Sequence, residues 1–323
     1  MGSLSRHRVS VIVPTRDRDP LLQQALASVR ANEDDGLELE VLVIDNGSGQ
    51  STQAIAAEFG ARYLRCSIHG AAAARNRGFE AASGEFIAFL DDDDVWIPGH
   101  LRHQVDWLAQ RPDFGGVLGQ VRNIDHELRS AGPLWPQRLP DDGRLFTHLL
   151  RVMPQLGATV IRSSVLSEVG YFDERLGGDE DWDLHLRLAL RRPVGFMPIP
   201  CALFRRRPNG TWDELHWRQI RSTRRVFWRN VRRAGNQAPS LGFVLRAWLH
   251  HLGASHTELL NNAGAHALAG RGPAARVALG RAFRVSPLHA AWSLVRRPDA
   301  RWVAYTSLRP RLTRGGSGSE PVR

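Results

Sequence analysis

The first apolar run, Val9–Val13, is unbroken and stops at Pro14. A run with no polar alternation predicts a strand covered on both faces. Leu21, Leu22, Ala25, Leu26 and Val29 then recur at helical spacing behind Asp19 and Pro20, an N-cap residue and a first-turn proline. The pattern repeats: a strand at Leu39–Ile44, a helix at Ser51–Phe59, a strand at Arg62–Arg65, an Ala-rich helix at Gly70–Ala82 and a strand at Glu85–Leu90. This alternation predicts an α/β chain with a doubly wound sheet. The middle is less regular. Strands are expected at Phe114–Val121, Gly157–Ile161 and Val194–Phe204, helices at Ser163–Val169 and Trp182–Arg191, and a Pro-rich excursion at Arg122–Pro140. From Asn209 the pattern is helical to about residue 298, with a helix pair over 263–295 that carries small residues for its crossing. The Gly/Ser-rich stretch 314–323 reads as disordered.

Polar residues gather where the early strands end: Thr15–Asp17, Asp45–Ser48 and Asp91–Asp94. Ligands of open α/β sheets bind outside the carboxyl ends of the strands, so these clusters predict one acidic crevice. Four adjacent carboxylates repel one another unless a cation compensates. Hard oxygen ligands at a strand end suit Mg²⁺ or Mn²⁺ on a diphosphate, against the plainer reading of a solvated loop before the helix after Pro98. Asp45 at its strand end can accept from a base or a ribose hydroxyl, although, taken alone, Asp45-Asn46-Gly47-Ser48 reads sooner as a plain βα turn. Arg75 follows Ala71–Ala74, which let a helix lie close on the sheet and turn Arg75 toward the crevice. Asp179, Glu180, Asp181 and Asp183 complement a helix N-terminus, and one of them can take a proton from an acceptor hydroxyl.

The order of these segments is more specific than any one of them. V-S-V-I-V-P-T-R (Val9–Arg16) precedes V-I-D-N-G-S (Val43–Ser48) and G-A-A-A-A-R-N-R-G (Gly70–Gly78). Then come G-E-F-I-A-F-L-D-D-D-D-V-W (Gly84–Trp96), G-Y-F-D-E (Gly170–Glu174) and E-D-W-D-L-H-L-R (Glu180–Arg187). Over roughly residues 8–210 the chain resembles the family 2 glycosyltransferases of the GT-A fold. The resemblance implies a GT-A type mixed sheet with flanking helices and a sugar transfer from a nucleoside-diphosphate sugar, inverting in a single displacement. Pro14, Thr15, Arg16, Asp45, Asn46, Arg75, Asp91 and Asp92 would then bind the nucleotide sugar. Asp91 and Asp93 match the D-x-D metal motif, Asp181 the general base, and Glu180 and Trp182 would face the acceptor. Two departures stand out. Asn46 occupies a position that is often Asp. Phe204-Arg205-Arg206-Arg207 replaces a pattern that often ends in His, which leaves Arg207 to meet the diphosphate. A UDP or dTDP donor and a sugar or lipid-linked acceptor follow from family habit.

Charge divides the chain. Residues 1–204 carry 21 Arg and 28 acidic residues, whereas residues 205–323 carry 22 Arg and only 5. This favours a catalytic domain at 1–210 and an Arg-rich helical extension at 211–323. Within the extension, Arg218–Arg233 interleaves arginines with Trp228, Phe227, Ile220 and Val231. That helix is expected either to pack on the acidic domain or to make peripheral contact with an anionic membrane. Nucleic-acid binding is the reading from another class, and the ordered motifs of the front part would then have no purpose. A sugar nucleotidyltransferase is the alternative enzyme, but Pro14–Asp19 lacks the glycines of a phosphate loop. Two cysteines, Cys66 and Cys201, without metal-site spacing, and no signal-peptide pattern or long apolar run lead to the expectation of a cytoplasmic protein, peripheral at most on the inner membrane face.

Overall fold

The computed structural model describes residues 6–47, 50–125, 127–206, 213–296 and 298–308. The chain divides into two units. One takes in residues up to Arg207 and Glu214–Trp248, the other Pro208–Asp213 and Leu249–Arg323.

In the first unit the elements run β1 (His7–Thr15), α1 (Asp19–Arg30), β2 (Leu37–Asp45), α2 (Gln50–Glu58), β3 (Arg62–Arg65) and α3 (Ala71–Ala81). They continue as β4 (Phe86–Phe89), β5 (Val95–Trp96), α4 (His100–Ala109), β6 (Gly116–Ile124), β7 (Ser130–Trp135) and α5 (Phe146–Leu149). β8 (Thr159–Arg162), α6 (Ser163–Val169), α7 (Glu180–Arg191), β9 (Val194–Arg205) and α8 (Asp213–Ala234) follow. The strands form one sheet in the order β3-β2-β1-β4-β8-β6-β9-β5, with β7 on β6. β1, β2, β3 and β4 are mutually parallel, whereas β8 runs antiparallel to both β4 and β6.

Register explains where the site falls. Thr15 stands opposite Asp45, and Ile12 opposite Phe89, so β1, β2 and β4 all end at one edge. The Leu90 amide reaches back to the Ile12 carbonyl at 3.1 Å, and the next residue is Asp91. The strands reach this edge as buried apolar rods: Val11, Ile12, Val13, Leu42, Val43, Ile44, Ile87 and Leu90 are fully buried. Their two faces feed separate cores.

Two strands lie where none was expected. β7 falls inside the Pro-rich excursion; it pairs with β6 and is exposed, an edge position where Pro133 costs no ladder bond. β5, only two residues long, pairs with Leu203 and Ala202 of β9 and is too short to show a period. β8 begins after a single 3₁₀ turn at Leu156–Ala158, later than the pattern implied.

α8 does not stand apart from the first unit. Val226 and Phe227 are fully buried in its core, with Trp228 and Val231 packed against the same cluster. Its apolar side is therefore already spent on protein, although Arg221, Arg224 and Arg225 remain exposed.

The chain passes into the second unit through α9 (Leu241–Leu268), followed by α10 (Gly272–Val285), α11 (Pro287–Arg296) and α12 (Pro298–Leu308). This unit's small core joins Leu260, Ala263, Ala278, Leu279, Ala300 and Val303. The alanines are what let helices of this length approach closely. The buried His256 ring links the Ala282 carbonyl at 3.2 Å to the Ser293 hydroxyl at 3.1 Å, tying α9 to α10 and α11. No described helix is long and apolar enough to cross a membrane.

Candidate active site

The acidic turn after β4 is held by cations and backbone rather than left to solvent. Asp92 is buried. It accepts from Thr15 Oγ1 at 2.8 Å, the Arg16 amide at 3.3 Å and Arg18 Nη1 at 2.9 Å. Arg18 also reaches Asp93 Oδ2 at 3.0 Å. Asp94 accepts from the Arg205 amide at 2.9 Å, and Arg205 Nε donates to the Asp93 carbonyl at 2.9 Å. Burial, with Asp91 and Asp93 beside it, pushes the Asp94 carboxyl well above its ordinary value; burial likewise raises Asp92.

Asp91, Asp93 and Asp94 each offer a carboxylate oxygen, and the three oxygens lie within 4.8 Å of one another. Oxygens that share one ion at metal–oxygen bonds of about 2.0–2.6 Å lie at most about 4.0–5.2 Å apart, and three clustered carboxylates with two arginines beside them leave room for a further positive charge. The donor set therefore fits a hard divalent cation.

Arg75 joins this turn to the second half of the site. α3 lies directly on β1 and β2 because Ala72, Ala73 and Ala74 are buried there and a Cβ on Gly78 would collide with Ile12. The Arg75 guanidinium, 5% exposed, gives Nη2 to Asp91 Oδ1 at 2.6 Å and Nη1 to Glu180 Oε1 at 2.7 Å. Its Nε is buried and meets no acceptor among the described residues. Next to Glu180, Asp181 accepts from the Trp182 amide at 2.7 Å. Burial and the Glu180 charge push the Asp181 carboxyl up to about 7, partly countered by Arg75.

The segment 177–181 is positioned from α8. Asp179, at a positive φ of 60°, is buried and accepts from Gln219 Nε2 at 2.7 Å and from the Thr223 hydroxyl. The Gly177 amide donates to Ser222 Oγ at 3.0 Å. One turn further along α7, Asp183 holds Arg187 at 2.8 Å and Asn230 at 2.7 Å, which fixes α7 to α8.

The structure thus gathers two hydrogen-bonded groups at the acidic turn: Thr15 and Arg16 with Asp92, which Arg18 links to Asp93, and Arg75 with Asp91 and Glu180, next to which stands Asp181; Pro14 is buried just before the first. Three expectations need correction. Trp182, expected on the acceptor side, is 1% exposed, donates Nε1 to the Leu149 carbonyl at 2.7 Å and belongs to the core. Asn46, expected at the nucleotide, gives its amide to the carbonyls of Cys66 at 3.0 Å and Ile68 at 2.6 Å, and accepts from the Gly70 amide at 2.8 Å. It shapes the approach to α3. Asp92, counted among the donor ligands, faces inward onto Thr15 and Arg18. Asp45 is fully buried, with Tyr63 at 2.8 Å and Arg65 at 2.9 Å on one oxygen and the Gly47 amide at 2.7 Å on the other. Arg207 and Ser48 lie outside the described residues.

Arg18, Gln219 and Thr223 were not singled out by sequence, and Asp94, Asp179 and Arg205 were read only as members of longer charged runs. For Arg18 the signal was its position three residues past Thr15, at the same strand end. For Gln219 and Thr223 there was none, because they lie in a helix that reads as basic and amphipathic.

A doubly wound mixed sheet with carboxylates at the ends of its parallel strands is the architecture of GT-A glycosyltransferases. The crystal structure of S. aureus TarS 1–349 aligns with a TM-score of 0.62 at 16% identity, over 90% of this chain and 91% of that one. The mannosyltransferase PcManGT from Pyrobaculum calidifontis, solved with GDP-Man and Mn²⁺, aligns with a TM-score of 0.56 at 21% identity, over 94% and 84%. The profile of glycosyl transferase family 2 matches residues 10–170, and the chain belongs to that family. An uncharacterized glycosyltransferase of Rickettsia conorii is 26% identical over 196 residues, which is 58% of this chain and 32% of the relative. The chain thus spans about a third of that relative's length.

Proposed function

We propose that the protein transfers a sugar from a nucleoside-diphosphate sugar to an acceptor hydroxyl with inversion at the anomeric carbon. The observation that carries this reading is Arg75. One buried guanidinium ties the metal-competent turn, through Asp91, to the carboxylate pair Glu180–Asp181. The two functions that a direct displacement needs, support for a leaving diphosphate and a base for the incoming hydroxyl, therefore sit within the reach of one side chain.

Asp91, Asp93 and Asp94 would hold Mn²⁺ or Mg²⁺. Bound there, the ion supplies positive charge to the departing diphosphate. Arg75 and Arg18 add cationic hydrogen-bond donors beside that group, and the Arg75 Nε has an unused proton to give. Asp181 accepts the acceptor's proton as the new carbon–oxygen bond forms and the bond to the diphosphate breaks. Its carboxyl, pushed up to about 7, is near the optimum for a base working at neutral pH. Such a base contributes about 10²–10⁴-fold in rate. Arg16, exposed at the end of β1, would meet the nucleoside, with the buried Thr15 and Asp45 behind it at the ends of β1 and β2; a UDP or dTDP donor and a sugar or lipid-linked acceptor are proposed.

A thermal-shift screen of nucleoside diphosphates with and without Mn²⁺ tests this. A ligand at about a hundred times its Kd stabilises the folded state by about 2.7 kcal/mol. A rise in Tm that requires both nucleotide and Mn²⁺ is expected, and no rise with any diphosphate would count against the reading.

A further inference from the structure

The second unit presents an apolar helical face with a basic surround. On α11, Leu288 is 78% exposed, Trp292 59% and Val295 71%. These positions follow i, i+4, i+7 spacing and so share one side of the helix. α10, which packs beside α11, adds Phe283 and Val277 at 38% and 54% exposure. An open cavity of about 370 Å³ adjoins Leu288, His289 and Trp292. Isolated exposed apolar residues are ordinary, but three on one side of a helix, with an open cavity beside two of them, mark a contact surface.

The charge around them selects the partner. Residues 249–308 contain seven arginines and two carboxylates. Arg284 directly follows Phe283, Arg296 directly follows Val295, and both are exposed. We infer that α10 and α11 dock this protein on an anionic lipid bilayer, lying in its interfacial plane. Trp292, Leu288, Val295 and Phe283 enter the headgroup–acyl boundary while Arg284 and Arg296 meet lipid phosphates. In-plane docking by a helix with Trp and Leu on one side and Arg beside them is driven by apolar burial together with anionic attraction. No described helix spans a bilayer, so the contact is peripheral. This moves the membrane contact away from Arg218–Arg233, where Val226, Phe227, Trp228 and Val231 are packed into the first unit. It does not depend on the transfer reaction proposed above.

Flotation of the full chain with vesicles tests the assignment. Vesicles of phosphatidylcholine with about 30% phosphatidylglycerol should carry wild type upward at about 0.1 M salt and release most of it at about 0.5 M, where charges are screened. Pure phosphatidylcholine should carry little. The triple variant Leu288→Ser, Trp292→Ser, Val295→Ser should lose at least about a hundredfold in partitioning, since each buried apolar side chain contributes to binding. The pair Arg284→Glu, Arg296→Glu should lose at least about tenfold. Arg221→Glu with Arg224→Glu on α8 should stay within about twofold of wild type. Circular dichroism and Tm of each variant establish that the exposed substitutions leave the fold in place. Flotation of the triple variant at the wild-type level overturns the inference, as does failure of wild type to float. A wild-type dimer that the triple variant converts to monomer, with no vesicle binding by either, also overturns it and assigns the face to a second copy.

Discussion

Arg75→Met keeps most of the side chain's volume and removes its charge. In the folded protein Arg75 is 5% exposed, Glu180 14% and Asp91 38%. Removing one partner of a buried ion pair costs about 3–5 kcal/mol, because the other charge stays behind without compensation. Here the lower end applies, since Asp91 can recover water, and a loss of about 3 kcal/mol is expected. At about 2–4 °C per kcal/mol for a domain of this size, Tm should fall by about 6–12 °C. The deficit should depend on pH in a definite direction. Without Arg75, the nearby Asp181 carboxyl, already raised by burial and by Glu180, loses the cation that partly counters that rise and titrates higher still in the folded state. A raised carboxyl contributes stability at low pH that is lost as pH rises. The gap between wild type and variant should therefore be wider at pH 8 than at pH 5. Adding Glu180→Gln removes one stranded carboxylate and should restore about half the loss, read by urea unfolding of the four members of the cycle. A loss below about 1 kcal/mol, or a double variant no more stable than Arg75→Met, would refute the claim that this guanidinium balances the two halves of the site.

Asp93→Asn should abolish sugar transfer while Tm in the absence of nucleotide stays near wild type, and excess EDTA should mimic it in the wild type. Asp181 titrates at about 7 when folded against an ordinary 3.8, so turnover should rise through neutral pH as the base is freed. In stability the sign is opposite: its contribution is intact below about pH 4 and is lost as pH rises to about 7, and Asp181→Asn should remove both effects. Thr223→Val deletes the hydroxyl that supports Asp179 and should lower kcat more than it raises the donor's KM, with Thr223→Ser restoring the rate. Trp182→Ala should cost about 3–5 kcal/mol as a core truncation, whereas a residue that merely lined the acceptor crevice would lower affinity and spare Tm.

Much of the first unit was legible because parallel strands covered on both faces leave unbroken apolar runs. Val9–Val13, Leu39–Ile44 and Glu85–Leu90 all became strands, and the polar residues closing them fell at one edge of the sheet. β7 was hidden because an edge strand needs no apolar run and tolerates Pro133. In the site, composition alone could not separate carboxylates that face the crevice from those that hold the turn together. Asp91 to Asp94 look alike in sequence; only the partners Arg75, Thr15, Arg18 and Arg205 distinguish them. Trp182 misled for a related reason, since its neighbours Glu180 and Asp181 face the site while its own ring turns into the core. The ties from Asp179 to α8 span about forty residues and leave no local pattern.

Those ties bear on how the chain can be shortened. The family profile ends at residue 170, and the sheet's last strand at Arg205, so a fragment cut near residue 210 would look complete by sequence. It would lack Gln219, Ser222 and Thr223, and with them the hydrogen bonds that seat Gly177 and Asp179 just before Asp181, the proposed base. It would also uncover the pocket that Val226 and Phe227 fill. Such a fragment is expected to bring a nucleotide site without a working base, or to precipitate. A cut beyond Trp248 would keep α8 and the aromatic contact of Phe227 with Trp248, and is the shortest form expected to behave as an enzyme.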